Sequence, residues 1–212
     1  MTTAIELQTE RLHLRRWRAD DDEPFAAMNA DPRVMEFFPS TQSRDTSAAA
    51  VARWQARIEE RGWGLWAAEL RRSGEFIGFV GLEVPTAAVQ CSPCVEVGWR
   101  LAFAHWGQGF ATEGAKGALG IGFEQLGLDE IVSFTAVGNR RSRAVMKRLG
   151  MTESEGTFEH PSVPPGSPVR EHCLYRLTRA AWLAMAPEAV KTSRLDADST
   201  PARVDRTTSC RR

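Results

Sequence analysis

"HWGQGFATEG", residues 105–114, places glycines at 107 and 109 and then enters a segment with helical spacing. Glycine has no side chain, so it accepts positive φ and lets another group approach the main chain. Where such a turn opens a helix, the unpaired N–H groups and the positive end of the helix dipole suit a phosphate or pyrophosphate. An ordinary strand-to-helix turn needs the glycines equally, so these residues alone leave both readings open.

On a wheel of about 100° per residue, Ala111, Ala115, Ala118, Leu119, Gly122 and Leu126 share one arc, opposite Glu113, Lys116 and Glu124. The pattern predicts a helix from about Phe110 to Leu126 that packs on a sheet. Gly114, Gly117, Gly120 and Gly122 fall inside it, each costing about 1 kcal/mol relative to alanine. Close helix-on-sheet packing offsets part of that loss but does not account for Gly107 and Gly109, while Thr112 adds a hydroxyl to the same first turn. Two phosphate motifs fail. Gly109 and Gly114 have P-loop spacing, but Ala115 precedes Lys116 and Gly117 follows it; a dinucleotide fingerprint needs glycine where Thr112 stands.

Upstream, "IELQTERLHLRRW" alternates Ile5, Leu7, Leu12 and Leu14 with polar residues, as two short strands around a turn would. A helix starts near Pro24 and Phe25, a second at Asp31–Pro32 with Pro39 ending it, and a long amphipathic one covers 46–61. "GWGLWAAEL", "EFIGFVGLEV" and "VEVGWRLA" read as strands of an antiparallel meander. After the glycine-rich helix come the strand "EIVSFTAV", a helix over about 140–149, and strands at about 153–158 and 170–177 flanking the proline-rich "HPSVPPGSP". The composition then shifts to "PEAVKTSRLDADSTPARVDRTTSCRR", and we expect a disordered tail over 187–212 after one α+β domain over 1–186.

The chain has 212 residues, 42% hydrophobic and 25% charged, as a soluble globular protein has. Lys plus Arg and Asp plus Glu both total 27, so no global charge draws it to nucleic acid or to an anionic membrane. The N-terminus has acids and arginines where a signal peptide needs an apolar run, which points to the cytoplasm. Cys91 and Cys94 in "CSPC" have the spacing of a zinc or redox site, for which His172 and Cys173 are the adjacent candidate ligands; a plain proline-containing loop is the simpler reading, and no metal is expected.

"NRRSRAVMKRLG", residues 139–150, carries Arg140, Arg141, Arg143, Lys147 and Arg148 and no acid. These bases fall within an arc of roughly 160°, opposite Ser142, Val145, Met146 and Leu149. Such a face is either simply solvated or turned toward the candidate phosphate turn. Ser142 sits near the helix start, where a serine hydroxyl is commonly satisfied by local backbone.

The blocks "TERLHLRRW", "ADPRVMEFFP", "EFIGFVGL", "VEVGWRLAFAHWGQGFATEGA", "NRRSRAVMKRLGM" and "LYRLTRAAW", in this order over about 7–185, resemble the GNAT superfamily of acetyl-CoA-dependent N-acetyltransferases. Within it they look most like the subgroup of ribosomal-protein N-terminal acetyltransferases. The resemblance implies a mixed, mainly antiparallel sheet flanked by helices. It implies that Gln108, Gly109, Ala111 and Thr112 bind the CoA pyrophosphate, with Asn139 beside the pantetheine arm and Ser142 and Arg143 on the cofactor side. It also implies a splayed pair of strands, "VEVGWRL" and "IVSFTAV", that admits the pantetheine.

The implied chemistry is direct acetyl transfer to a primary amine, on a small molecule or a protein N-terminus. The amine must lose a proton and the departing thiolate must gain one. Glu96 matches the family's carboxylate base, or a carboxylate that only holds the amine. Many members carry a tyrosine where this chain has Met146, and Tyr175 cannot inherit that position. In the ribosomal-protein subgroup the serine matching Ser142 is the acid; solvent is the other source. The departure at Met146 keeps a non-catalytic acyl-CoA-binding module as the alternative. A monomer or homodimer without nucleic-acid or membrane partners is the expected state.

Overall fold

The computed structural model describes residues 4–185; the expected tail over 187–212 lies outside them. The fold is α+β. Strands β1 (Leu7–Gln8), β2 (Leu12–Arg15), β3 (Leu65–Leu70), β4 (Phe76–Glu83) and β5 (Glu96–Leu101) form an antiparallel meander in chain order. Beyond β5 lies β6 (Glu130–Ala136), the parallel neighbour, and then β9 (Glu171–Thr178), antiparallel to β6. β7 (Thr152–Glu153) and β8 (Phe158–Glu159) both pair with β9. The strand expected over 153–158 is thus two short pieces, with a turn through Gly156 at φ +74° between them.

Alternate residues of β4 face opposite sides of the sheet. Phe79 joins Trp17, Phe25 and Trp54 in an aromatic cluster under α1 (Asp22–Ala30) and α2 (Arg44–Arg61), its ring centroid 4.8 Å from that of Trp54. Val80 and Leu82 face α3 (Phe110–Gly120) on the other side, with Ala115, Ala118 and Leu119 buried against them. The α3 glycines answer the propensity problem posed by the sequence. A methyl group on Gly114 would come within 3.1 Å of Val80, and one on Gly117 within 2.6 Å of Leu7. At Gly122 it would come within 2.5 Å of Ile131, so the segment lies against the sheet only because side chains are missing. The expected helix to Leu126 also changes pitch, with a π-helical turn over Ile121–Gln125.

α2 begins at Arg44 rather than 46 because the Ser43 hydroxyl accepts the Thr46 N–H (3.2 Å). The helix expected from Asp31 to Pro39 is instead a run of turns. The Asp31 carboxylate accepts the Arg33 N–H (2.9 Å) and the Val34 and Met35 N–H groups both return to the Asp31 carbonyl, as at a helix start, but the next bond, Phe38 N–H to the Met35 carbonyl, spans only three residues and the helix does not propagate. Two further α-helices, α4 (Arg140–Arg148) and α5 (Arg179–Met185), complete the described α-helices. Among the described residues no helix is long and apolar enough to cross a membrane.

β2 is tied to the chain that enters α1 by a buried ion pair. The Arg15 guanidinium donates to both Asp21 oxygens at 2.7 and 2.8 Å and to Glu69 at 2.7 Å, with Arg15 and Asp21 side chains each only 3% exposed. Removing one partner strands a buried charge. Asp21→Ala is therefore expected to lower the unfolding free energy by about 3–5 kcal/mol in urea denaturation; a loss within the range of ordinary surface substitutions would refute this account.

Candidate active site

β5 ends at Leu101 and the chain turns over residues 102–109 into α3. The Trp106 indole N–H donates to the Leu101 carbonyl (2.8 Å), which folds the turn back on its strand. Gly107 and Gly109 have φ of +74° and +85°, conformations that exclude most side chains. Gly109 is the N-cap of α3 and brings no side chain to the first-turn amides of Phe110, Ala111 and Thr112. Those are the donors a helix start leaves open. The Gln108 side chain turns back to the Ala104 carbonyl (3.0 Å), so its carboxamide faces the turn rather than the opening.

A network that the sequence did not disclose holds this turn. Glu113, in the first turn of α3, accepts from the Thr9 hydroxyl (2.5 Å), the Arg11 N–H (2.7 Å) and Arg11 Nε (2.6 Å). Arg11 also donates to the Gln108 carbonyl (3.0 Å) and covers the Phe110 ring at 4.5 Å. Burial opposes the charge on Glu113, but these donors outweigh it and hold the carboxyl below its ordinary pKa. The only local signal was an acid in a helix's first turn; its partners lie about a hundred residues away.

β5 and β6 share a single register pair, Glu96 with Val132, supported by Val132 N–H to Val95 O (2.9 Å). Beyond it the ladder stops, and the slot between the strands opens toward the α3 turn. Glu96 sits where they part, half-buried, accepting the Phe134 N–H. Desolvation, and then the Glu83 charge directly across the β4–β5 ladder, push its pKa up to about 8 against that one favourable donor. Glu83 itself is tied to Arg57 and to the Val84 N–H.

At the far wall, Asn139 caps α4. Its Oδ1 accepts the Ser142 N–H (3.1 Å), and its Nδ2 donates to Thr135 Oγ1 (2.9 Å) and to Ser142 Oγ (3.1 Å). Ser142 thereby receives a bond at oxygen and keeps its own proton available, in contrast to a hydroxyl spent on local backbone. Arg143 is directed away, its guanidinium engaged by the Val137 carbonyl (3.1 Å), Tyr175 Oη (3.3 Å) and Glu153 (2.7 Å). The Tyr175 hydroxyl donates to Glu153 (2.6 Å), and Met146 is buried. Arg140, Lys147 and Arg148 lie exposed on α4. Asn139 and Ser142 thus meet at the start of α4, Gly109 heads α3 and Glu96 stands at the β5–β6 fork, whereas Arg143 is turned onto Glu153 and Tyr175.

The run of turns over 31–38 crosses the opening. Phe37 lies against Gly138, Glu36 pairs with Arg141 (3.1 Å), and Arg33 covers Phe103 at 4.0 Å. Arg141 also stacks on Trp106 at 5.0 Å. Between this segment, the glycine turn and α4 lies a groove of about 320 Å³ lined by Pro32, Arg33, Glu36, Phe103, Trp106 and Arg141. Cys91 and Cys94 approach one another, Sγ to Sγ 2.9 Å, without His172 or Cys173, and among the described residues no group of three His, Cys, Asp or Glu could hold a metal ion.

Residues 11–152 match the sequence model of the acetyltransferase (GNAT) domain. The chain is 33% identical over 198 residues to the FsC-acetyl coenzyme A-N(2)-transacetylase of Aspergillus fumigatus, covering 89% of this chain and 82% of that one. Among solved structures, an acetyltransferase from Agrobacterium tumefaciens superposes with a TM-score of 0.67 at 29% identity, over 84% of this chain and 96% of its own. A ribosomal-protein alanine acetyltransferase from Vibrio fischeri gives a TM-score of 0.65 at 15% identity, over 84% of this chain and 98% of its own. That last likeness is one of fold, so the ribosomal-protein subgroup remains a resemblance.

A carboxyl whose pKa the fold raises favours its protonated form in the folded chain. The contribution of Glu96 is therefore intact below pH 4.5, where the unfolded carboxyl is also protonated, and is lost as the pH rises toward 8. In Glu96→Gln this loss is absent. Scanning calorimetry should show the variant gaining on the wild type steadily between these pH values and no further above them; parallel Tm curves would contradict the raised pKa.

Proposed function

Because the chain belongs to the GNAT acetyltransferase family, we propose that it transfers the acetyl group of acetyl-CoA directly to a primary amine within the opening between β5 and β6. The observation that carries this reading is the parting of those strands after one register pair, with Glu96 at the fork and the Gly109-capped α3 facing the same opening. Acetyl-CoA supplies an activated thioester. The residues present suit it: bare first-turn amides at Gly109, Phe110, Ala111 and Thr112 match a pyrophosphate, and splayed strand edges offer backbone to an amide-bearing arm.

In this reading Glu96 accepts the proton of the incoming ammonium, directly or through water. A carboxyl near pH 8 is better matched to that task than one at its ordinary value. Ser142, its oxygen held by Asn139 and its proton unspent, donates to the departing sulfur. Asn139 positions Ser142 and borders the arm through Thr135. Gln108 contributes its main chain rather than its carboxamide, and Arg143 supports the cofactor side by fixing the end of β6. The relative named as an N(2)-transacetylase supports a nitrogen acceptor in general terms.

Titration calorimetry of the whole protein should give acetyl-CoA binding on the order of micromolar and none for ATP. Gly109→Val places a β-branched side chain at φ +85° and is expected to abolish that binding; unchanged affinity would defeat the turn assignment. Glu96→Gln should lower kcat/KM by about 10²–10⁴ and remove an ascending limb near pH 8 from its pH profile. Tight acetyl-CoA binding with no turnover on a broad amine panel would favour the non-catalytic module.

A further inference from the structure

Arg100 is the fifth residue of β5 and faces the same side of the sheet as Glu96, toward α1 and α2. Its surroundings are unusual for an arginine. Nη1 donates to Asn29 Oδ1 (2.7 Å), the guanidinium lies over Phe38 at 4.1 Å and near Phe79 at 5.4 Å, and Nε is buried with no acceptor. Among the described residues it makes no ion pair, although buried arginines are ordinarily matched by a carboxylate or its equivalent. Desolvation lowers its pKa to about 10.

This uncompensated cation is deliberately held. Asn29 and Ser47 are fully buried; the Ser47 hydroxyl donates to the Ser43 carbonyl (2.9 Å), Asn29 Nδ2 donates to Ser47 Oγ (3.0 Å), and Asn29 Oδ1 thereby faces Arg100. A relay of two buried side chains fixes one corner of the guanidinium and leaves the rest of its donor fork unpaired. Such an edge costs free energy until an acceptor completes it.

Between Glu96 and Arg100 stands Gly98, so no side chain rises from the strand there. A Cβ on Gly98 would meet only Glu96 Oε1, at 4.0 Å, which means that the Glu96 carboxylate leans along the strand toward Arg100 over open floor. Residues 96 and 100 are about 13 Å apart along an extended strand. The face therefore presents a proton-accepting carboxylate at one end, bare backbone between, and a cation with free donors at the other.

We infer that the acceptor is an amine that also carries a carboxylate or comparable oxyanion, held by the open donor fork of Arg100 while its amino group meets Glu96. This rests on the acetyl-transfer reading above and adds the substrate class. A planar guanidinium fork matches a carboxylate in two parallel bonds. The same cation repels the far end of a polyamine, so it also selects against acceptors with a second positive charge.

The test uses the full-length protein saturated with CoA and matched probes that differ by one carboxyl group: phenylalanine against phenethylamine, and ornithine against putrescine. Calorimetric affinity, which needs no turnover, should favour the carboxylated member of a pair on the order of tenfold to a hundredfold. Arg100→Met, which keeps chain length and apolar contact, should erase the preference; Arg100→Lys, which keeps charge without the fork, should retain part of it. Equal affinities within both pairs, no binding of any probe, or a preference that survives Arg100→Met overturns the assignment while leaving CoA binding intact. Failure of the wild type to bind CoA would overturn it together with the reading beneath it.

Discussion

The structure depends on a place where hydrogen bonding stops. Among the described residues β5 and β6 are the one parallel pair in an otherwise antiparallel sheet, and they share a single register position. Backbone groups rarely go unpaired inside a protein, so a sheet that opens in its middle must offer those edges to something else. Glu96 takes the Phe134 N–H at the fork. The helices on either side, α3 and α4, both begin at the opening, one capped by a residue without a side chain and the other by Asn139. The start of α3 therefore keeps its donors unspent while Asn139 closes that of α4, and burial among groups that do little to solvate it raises the Glu96 pKa.

The meander, α3, α4 and the last long strand were legible because each repeats an apolar spacing along a few consecutive turns or pleats. The glycine turn was legible as a conformation, since positive φ at Gly107 and Gly109 is what those residues permit. What the sequence concealed lies in contacts between distant segments. Glu113 reads as one more exposed helical acid until Thr9 and Arg11 are brought beside it. Arg100 reads as a polar alternation in a strand until Asn29, Phe38 and Phe79 enclose it. Over 31–38, helix-starting residues were present and Asp31 does cap a first turn, but Val34 and Met35 are packed into the core and the chain continues as a run of turns.

Arg143 shows how a correct face can carry a different contact. The wheel grouped it with the other bases of α4, yet its long side chain reaches Glu153, Tyr175 and the Val137 carbonyl. Arg140, Lys147 and Arg148 stay exposed and form no ion pair among the described residues. Periodicity identifies which side of a helix a residue occupies; the loops that approach that side decide what it does there.

The opening is also built from two different materials. Its α3 wall presents main-chain amides at a glycine turn, a surface whose chemistry barely changes when neighbouring side chains are exchanged. Its α1 and α2 side is made of side chains on the irregular 31–38 segment and on one face of β5, fastened by Glu36, Phe37 and Phe38 rather than by a backbone ladder. Substitutions can therefore rewrite the second surface while the first stays constant. A lineage with this architecture can diversify what it modifies without having to reinvent what it modifies it with.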